Sequence, residues 1–129
     1  MSVKFTILGS GSSGNCTYVE TAEARILVDA GFSPRQIRQR LATIGRTPEN
    51  LTAILITHEH SDHISGLLGI ADKLRIPIYC NRDTQEATAW AFKEKWNGKR
   101  DPLFKRHRKN RCRFHRKTGM AAVRNRRQL

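Results

Sequence analysis

Thr57-His58-Glu59-His60-Ser61-Asp62-His63 is the stretch of sequence with the most distinctive chemistry. It places three of the chain's five histidines and an aspartate within six residues. The apolar run Ala53-Ile54-Leu55-Ile56 precedes it, and an amphipathic segment from Ile64 to Leu74 follows it. Imidazole and carboxylate groups are natural ligands of zinc and similar first-row ions. The stretch therefore predicts a divalent metal site at the end of a buried strand.

The spacing of these side chains indicates how they would share metal ions. His58, His60 and Asp62 alternate, so an extended backbone would direct them to one side. His63 would then face differently and could serve a second ion with Asp62. Glu59 would point away from its neighbours, toward solvent or behind the ligands. Four ligands cannot complete two sites, so others must come from elsewhere in the chain, from water or from a partner. The alternatives are a polar loop with chance histidines and a closed structural zinc site, which would favour cysteine ligands.

Strand and helix patterns precede the metal-binding stretch. Alternating or apolar segments predict strands over residues 3–8, 16–20 and 25–29. A helix should follow, with Ser33 as its N-cap, Pro34 at its first position and Gln36 completing a capping box. Ile37, Leu41 and Ile44 would form its apolar face, and Gly45 could end it.

The α/β pattern continues through the stretch. Leu51 to Thr57 is a nearly continuous apolar run, which favours a strand buried on both faces. Ser61 should cap one helix reaching Leu74, with its apolar stripe turned inward. A strand over 75–80, near a sheet edge because of Pro77, and a helix opened by a capping box at Asp83 and reaching about Trp96 would follow. This order predicts a mixed α/β layered fold.

The charge is distributed very unevenly along the chain. The formal net charge is +13, yet residues 1–92 contain nine Lys or Arg and nine Asp or Glu, whereas residues 93–129 contain fifteen and two. From Lys105 onward there is neither strand alternation nor an apolar stripe, and no acidic residue follows Asp101. Such a segment cannot bury enough apolar surface to offset its ordering entropy. We therefore predict an α/β domain over 1–97 and a disordered basic tail over 98–129.

The composition argues against a membrane protein and against a disulfide-rich protein. No apolar run approaches the length of a membrane span, and the N-terminus has no signal-peptide pattern. We expect a soluble cytoplasmic protein with no membrane partner, and no oligomeric state follows from the sequence. Cys16, Cys80 and Cys112 are far apart and odd in number, which predicts reduced thiols.

At the level of families, His58-Glu59-His60-Ser61-Asp62-His63 resembles the HxHxDH signature of the metallo-β-lactamase-fold hydrolases. The loop Gly9-Ser10-Gly11-Ser12-Ser13-Gly14-Asn15 resembles the YycJ/WalJ-like branch, which is exonuclease-like. Asp29-Ala30-Gly31 matches the Asp-x-Gly that ends a strand before the signature. The resemblance covers about residues 3–92 and implies the N-terminal half of an αββα sandwich.

The resemblance also implies roles for individual residues. His58 and His60 would bind the first ion, and Asp62 and His63 the second. The ions would be zinc, with manganese as the alternative. Asp62 would also be catalytic, handling a proton near the reacting water. Asp29 would orient a ligand or its loop, or would be an ordinary turn residue at the strand end. The Gly/Ser loop would bind substrate phosphate through backbone N–H groups, or would be a tight turn near the site.

The resemblance ends where the basic segment begins. Family members supply a third histidine, a bridging aspartate and a late histidine after this half. Here only His107, His115 and Asp101 follow, and both histidines lie among Lys and Arg. A dication would be repelled there, so we expect neither to be a ligand. Two hypotheses explain the change: a frameshifted reading frame after about residues 97–104, or a genuine basic arm that binds phosphates.

The function implied is a metal-dependent hydrolase, and the branch points to a phosphodiesterase with nucleic acid as its substrate. The same signature serves hydrolases of thioesters, lactams and small phosphodiesters, because fold does not determine substrate. Two further alternatives lack this chemistry: a truncated, non-catalytic fragment, and a basic nucleic-acid-binding protein that uses the tail.

Overall fold

The computed structural model of the chain describes residues 2–92, 112–114 and 121–123. Residues 2–92 form a five-stranded sheet with helices. The strands are β1 (Lys4–Gly9), β2 (Cys16–Glu20), β3 (Arg25–Val28), β4 (Ala53–Leu55) and β5 (Ile78–Tyr79). The helices are α1 (Pro34–Ala42), α2 (Ser61–Ile64), α3 (Leu67–Leu74) and α4 (Arg82–Ala91), with a short 3-10 turn at Pro48–Asn50. The predicted mixed α/β fold is confirmed.

The strands lie in the order in which they occur along the chain. β1, β2 and β3 are antiparallel neighbours, whereas β3, β4 and β5 are parallel. Helix α1 lies in the connection from β3 to β4, and α2 and α3 lie in the connection from β4 to β5. β5 occupies the edge that Pro77 predicted. Because β3 and β4 are parallel, their carboxyl ends meet at one rim of the sheet, where ligand sites of α/β folds occur.

The two faces of the sheet differ in burial. One row of paired residues crosses four strands and is at most 3% exposed: Tyr18, Leu27, Ile54 and Ile78. We call this side the covered face, because its residues share one apolar core with residues of α1 and α3. The adjacent row points the opposite way and is exposed or half-buried: Ile7, Thr17, Val28, Leu55 and Tyr79. We call that side the open face, and it also carries Phe5.

The segment that follows the histidine cluster forms two helices, α2 and α3, where the sequence predicted one. Ser61 is the first residue of α2 rather than its cap, and His60 is the N-cap. The break lies at Gly66, whose N–H donates to the Ala30 carbonyl oxygen over 2.8 Å. A Cβ added to Gly66 would lie 1.9 Å from the Phe32 carbonyl oxygen. The prediction of a continuous helix was wrong because the loop after β3 approaches the backbone at this point.

Helix capping was predicted correctly at α1 and only in part at α4. In α1, Ser33 and Gln36 make the reciprocal bonds of a capping box. In α4 the cap is Asn81, whose side chain accepts from the Thr84 N–H over 2.7 Å, so the helix begins one residue before the predicted Asp83. The prediction that this helix reaches about Trp96 was wrong, because α4 ends at Ala91 with Phe92 as its C-cap.

Two short strands lie in the basic segment, where the sequence predicts disorder. β6 (Cys112–Phe114) and β7 (Ala121–Val123) pair antiparallel. Both contain residues that favour extended structure, and Gly119 lies between them. The expectation of disorder therefore does not hold for these six residues. The other residues of the predicted tail lie outside the described ones, and the boundary at 97 and 98 stays a prediction.

Across the described residues, no helix has the length and apolar character needed to cross a membrane.

Candidate metal centre

The candidate site lies at the rim where β3 and β4 end side by side. Asp29 follows β3, and the segment from Thr57 to His63 follows β4. The Asp29 N–H donates to the Leu55 carbonyl oxygen over 2.7 Å, which joins the two strand ends. The Ala30 N–H donates to the His63 carbonyl oxygen over 2.8 Å, which joins the loops beyond them. Main-chain bonds of the scaffold therefore place the acidic and histidine segments together.

The three histidine rings of the stretch form one cluster. The ring centroids of His58 and His60 are 4.5 Å apart, and those of His58 and His63 are 3.8 Å apart. The sequence predicted that His63 would face away from the other two. That detail was wrong because the chain turns into α2 after His60, and the His63 N–H donates to the His60 carbonyl oxygen. Asp62 lies beside the cluster, with Oδ2 3.5 Å from His63 Nε2.

Asp29 is buried beneath this cluster and accepts three hydrogen bonds. The Thr57 N–H donates to Oδ1 and the Thr57 hydroxyl to Oδ2, each over 2.8 Å. His63 Nδ1 lies 2.6 Å from Oδ2. Asp29 has φ of +65°, a left-handed conformation that aspartate adopts more readily than most residues. These contacts favour the role of orienting a histidine over that of an ordinary turn residue.

The hydrogen bonds of Asp29 determine which ring nitrogens can bind a ligand. A carboxylate only accepts, so His63 Nδ1 carries the proton in this contact and Nε2 keeps its lone pair. The Thr57 hydroxyl gives its one proton to Asp29, so its oxygen can accept from His58 Nδ1, which is 3.0 Å away. His58 Nε2 then keeps its lone pair as well. One buried carboxylate thus orients two rings, directly and through Thr57.

Gly31 and Asn15 join the loops around the site. A Cβ added to Gly31 would lie 1.8 Å from the Asp62 carbonyl oxygen, so only glycine fits there. The Asn15 N–H donates to that same oxygen over 2.8 Å. In the Gly/Ser loop, the Gly11 N–H donates to Asn15 Oδ1 and the Gly14 N–H to the Gly11 carbonyl oxygen. These two N–H groups serve the turn itself, and phosphate binding by the loop stays a prediction.

Glu59 lies on the outside of the stretch, as predicted. Its side chain is exposed and accepts a hydrogen bond from the Thr84 hydroxyl over 3.4 Å. Thr84 belongs to α4 and is itself buried. The contact therefore connects the histidine segment to a helix far along the chain.

The described thiols are buried away from metal chemistry. Cys16 and Cys80 are free and buried, as the prediction of reduced thiols requires. Burial raises the pKa of Cys16 to about 12, with the charge of Asp29 as a second cause. Burial alone raises the pKa of Cys80 to about 12. With these raised pKa values both thiols stay protonated at neutral pH. Because the thiolate is the form that binds metal, neither is suited to be a ligand. The side chain of Cys112 is not among those that the structure describes.

The donor set at the rim fits a divalent cation in its chemistry. Imidazole nitrogens with fixed tautomers and a carboxylate are suitable ligands. His58, His60 and His63 lie together with Asp62 beside them, and their division between two ions stays a prediction. Within residues 2–92 and the two short strands, no group of three or more His, Cys, Asp or Glu side chains is arranged to hold an ion by itself. The chain's other two histidines lie beyond the described residues.

Comparison with known proteins identifies the family. The family model of the metallo-β-lactamase superfamily matches residues 9–117. The chain belongs to the metallo-β-lactamase superfamily. A solved structure of a HARLDQ-motif mutant of a Cronobacter sakazakii metallo-β-lactamase superimposes with a TM-score of 0.58 at 21% identity, covering 65% of this chain and 33% of that one. This likeness supports the fold.

Two curated relatives belong to the branch that the Gly/Ser loop suggested. Exodeoxyribonuclease WalJ of Streptococcus pneumoniae is 54% identical over 84 residues, which are 65% of this chain and 31% of that protein. Exodeoxyribonuclease YycJ of Bacillus anthracis is 42% identical over 87 residues, which are 67% of this chain and 33% of that protein. The chain thus spans about a third of the length of these relatives, and the resemblance drawn from its motifs is confirmed.

Sequence reasoning missed three residues of the site. Asn15 was only the last residue of the Gly/Ser loop, and Thr57 had no assigned role. Thr84 was only part of a helix start. A polar side chain at a loop–strand junction was the available signal for Asn15, and a hydroxyl directly before His58 was the signal for Thr57. No local pattern connects Thr84 to Glu59, because 25 residues separate them.

Proposed function

We propose that the protein is a metal-dependent nuclease that hydrolyses phosphodiester bonds in DNA. The observation that carries this proposal is the clustering of His58, His60 and His63 above Asp29, in a chain 54% identical over 84 residues to an exodeoxyribonuclease. Nuclease relatives favour this substrate over thioesters and lactams, for which the same signature would serve.

Each member of the site would have a separate task. His58 and His60 would hold one ion, and Asp62 and His63 a second, with zinc as the first candidate and manganese as the alternative. When bound, such ions supply Lewis-acid chemistry and lower the pKa of coordinated water. Asp29 keeps the His58 and His63 tautomers fit for ligation. Asp62 would exchange a proton with the reacting water, the role that its family position suggests.

A second candidate function is metal binding without turnover. It is favoured because, among the described residues, no group of three or more His, Cys, Asp or Glu side chains is arranged to hold an ion by itself. Under this candidate the purified chain binds zinc through the same histidines and leaves DNA intact.

The test is hydrolysis of end-labelled linear DNA by the purified 129-residue chain, with zinc or manganese added and metal content measured in parallel. His58→Ala removes one ligand, and His107→Ala removes the same imidazole from the basic segment. We expect His58→Ala to lose at least about 100-fold in rate, since even the hydrogen-bond partners of ligands cost 10- to 100-fold, and His107→Ala to keep the rate.

The other outcomes separate the two candidates. Zinc bound in a His58-dependent way, without release of nucleotides, would reject the nuclease and leave metal binding. Hydrolysis that survives both His58→Ala and removal of metal would reject a role for this cluster. A chain that binds no metal at all would reject both candidates.

A further inference from the structure

Asn15 makes contacts on both sides of the candidate metal centre. Its backbone N–H donates to the Asp62 carbonyl oxygen over 2.8 Å, and its carbonyl oxygen accepts from the Gly31 N–H over 2.9 Å. Its side-chain Nδ2 lies 3.0 Å from Asp62 Oδ2 and 3.3 Å from His63 Nε2. The same nitrogen lies 2.8 Å from the Gly11 carbonyl oxygen. One residue therefore connects the Gly/Ser loop to two candidate ligands of the second ion.

The orientation of the Asn15 amide follows from its surroundings. Nδ2 faces the carbonyl oxygens of Gly11 and Asp62 and the Asp62 carboxylate, which can only accept, and its two hydrogens are shared among them. Oδ1 faces the Gly11 N–H over 3.1 Å, which can only donate. Rotating the amide by half a turn would set oxygen against oxygen and nitrogen against N–H. The NH₂ group must therefore point at Asp62.

We propose that Asn15 is a positioning residue that holds the Asp62 carboxylate for binding a divalent ion. By donating to Asp62 Oδ2, it fixes the rotation of the carboxylate. Among the described residues no hydrogen bond reaches the other oxygen, Oδ1, which is thus presented to an ion. This inference rests on the proposed metal site, because a positioning role has meaning only if Asp62 and His63 bind metal.

The chemistry of an amide suits this position. An asparagine donates to the carboxylate without adding charge, so it neither repels a cation nor neutralises Asp62. Its other bonds fix the turn of the Gly/Ser loop, which limits the motion of the amide. Partners that orient ligands in this way commonly change metal affinity by 10- to 100-fold when they are removed.

The experiment measures zinc affinity of the whole chain by competition with a chromophoric chelator. Asn15→Ala removes the amide, and Asn81→Ala is the matched control because it removes an asparagine side chain that bonds the Thr84 N–H at the start of α4 rather than a candidate ligand. We expect Asn15→Ala to weaken zinc binding by about 10- to 100-fold and Asn81→Ala to leave it within about twofold. Thermal unfolding of the metal-free variants tests whether both are folded.

A second variant, Asn15→Asp, keeps the proposal testable if Asn15→Ala does not fold. Asn15→Asp keeps the shape and the acceptor for the Gly11 N–H, but presents oxygen to Asp62 in place of the NH₂ group. With Co²⁺ replacing zinc, we expect the visible absorption bands to shift in Asn15→Asp and Asn15→Ala and to stay unchanged in Asn81→Ala. A structural effect remote from the ion would not move these bands.

The outcomes distinguish this proposal from the metal site on which it rests. Wild-type affinity and an unshifted Co²⁺ spectrum in both Asn15 variants would overturn the positioning role, while His58→Ala in the same assay would still report on the site. An equal loss in Asn81→Ala would overturn it too, since the effect would then be global. If His58→Ala binds zinc like the wild type, the proposed site and the role of Asn15 both fall.

Discussion

The covered and open faces of the sheet are built from similar residues and meet different surroundings. Leu27 and Ile54 on the covered face are 0% exposed, whereas Phe5 and Ile7 on the open face are 69% and 61% exposed. Both faces belong to the same strands, so side-chain alternation, not strand composition, separates them. The difference shows that helices of the described residues build one layer of packing and leave apolar side chains on the other side.

This difference agrees with the family fold. In an αββα sandwich, each sheet has helices on one face and a second sheet on the other, with about 10 Å between the sheets. The described helices supply the outer layer. The open face is the side toward which a second sheet would pack, and the chain spans 31% of the length of its relative WalJ. The candidate metal centre lies at the rim where β3 and β4 end.

The largest expected effect is the loss of packing on the covered face. Ile54→Ala should lower the free energy of unfolding by about 2 to 5 kcal/mol, because it leaves a cavity under the helices. Ile7→Ala deletes the same atoms on the open face and should cost about 1 kcal/mol or less, mainly in strand preference. Chemical denaturation of both variants measures the two values. Equal losses would show that the two faces are equally buried in the protein.

An intermediate effect is expected in dye binding by the open face. The double variant Phe5→Ser and Ile7→Ser should lose much of the fluorescence of bound anilinonaphthalene sulfonate, because the dye binds exposed apolar surface. Trp90→Ser removes a single exposed aromatic ring from α4 and should lose less of the signal than the double variant. An unchanged signal in the double variant, together with a large loss of stability, would mean that the open face is covered.

The smallest effect should come from an ion pair at the margin of the covered face. Glu20 accepts from Arg46 Nε over 2.6 Å and from the Tyr18 hydroxyl over 2.7 Å. The Arg46 hydrogen bond, and then that of Tyr18, lower the pKa of Glu20 from 4.5 to about 2. A lowered folded-state pKa stabilises the protein above the unfolded value, and the contribution is lost as pH falls from about 4.5 to about 2.

Glu20→Gln should therefore flatten the fall in stability across this pH window. Glu23→Gln is the control, since it removes an exposed carboxylate from the turn between β2 and β3. Denaturation at a series of pH values measures both. If the two variants have the same pH dependence as each other, the Arg46 pair contributes nothing specific.

Local chemistry made most of the fold predictable from the sequence. The strands through Val28 and the capping box at Ser33 depend on neighbouring residues, and they were predicted correctly. The single helix predicted through Gly66 failed because a distant carbonyl oxygen, that of Phe32, determines the break. The prediction that β4 is buried on both faces was only partly correct, since Leu55 stays partly exposed on the open face.

The candidate ligands could be named from the sequence, whereas the residues that hydrogen-bond to them could not. Histidines and an aspartate at a strand end are visible in the sequence, and so was the Asp29 that contacts His63. The bridging contacts of Asn15 join residues 47 and 48 positions apart, and no periodicity predicts such a contact. The Thr57 hydroxyl has its role only because Asp29 lies beneath it.

The most direct test of the metal centre is an anomalous difference map at the zinc edge from crystals grown with zinc. We expect peaks within bonding distance of the rim side chains, one beside His58 and His60 and one beside Asp62 and His63. A map with no peak at this rim, or with zinc bound only to other side chains of the folded protein, would contradict the assignment of these residues as metal ligands.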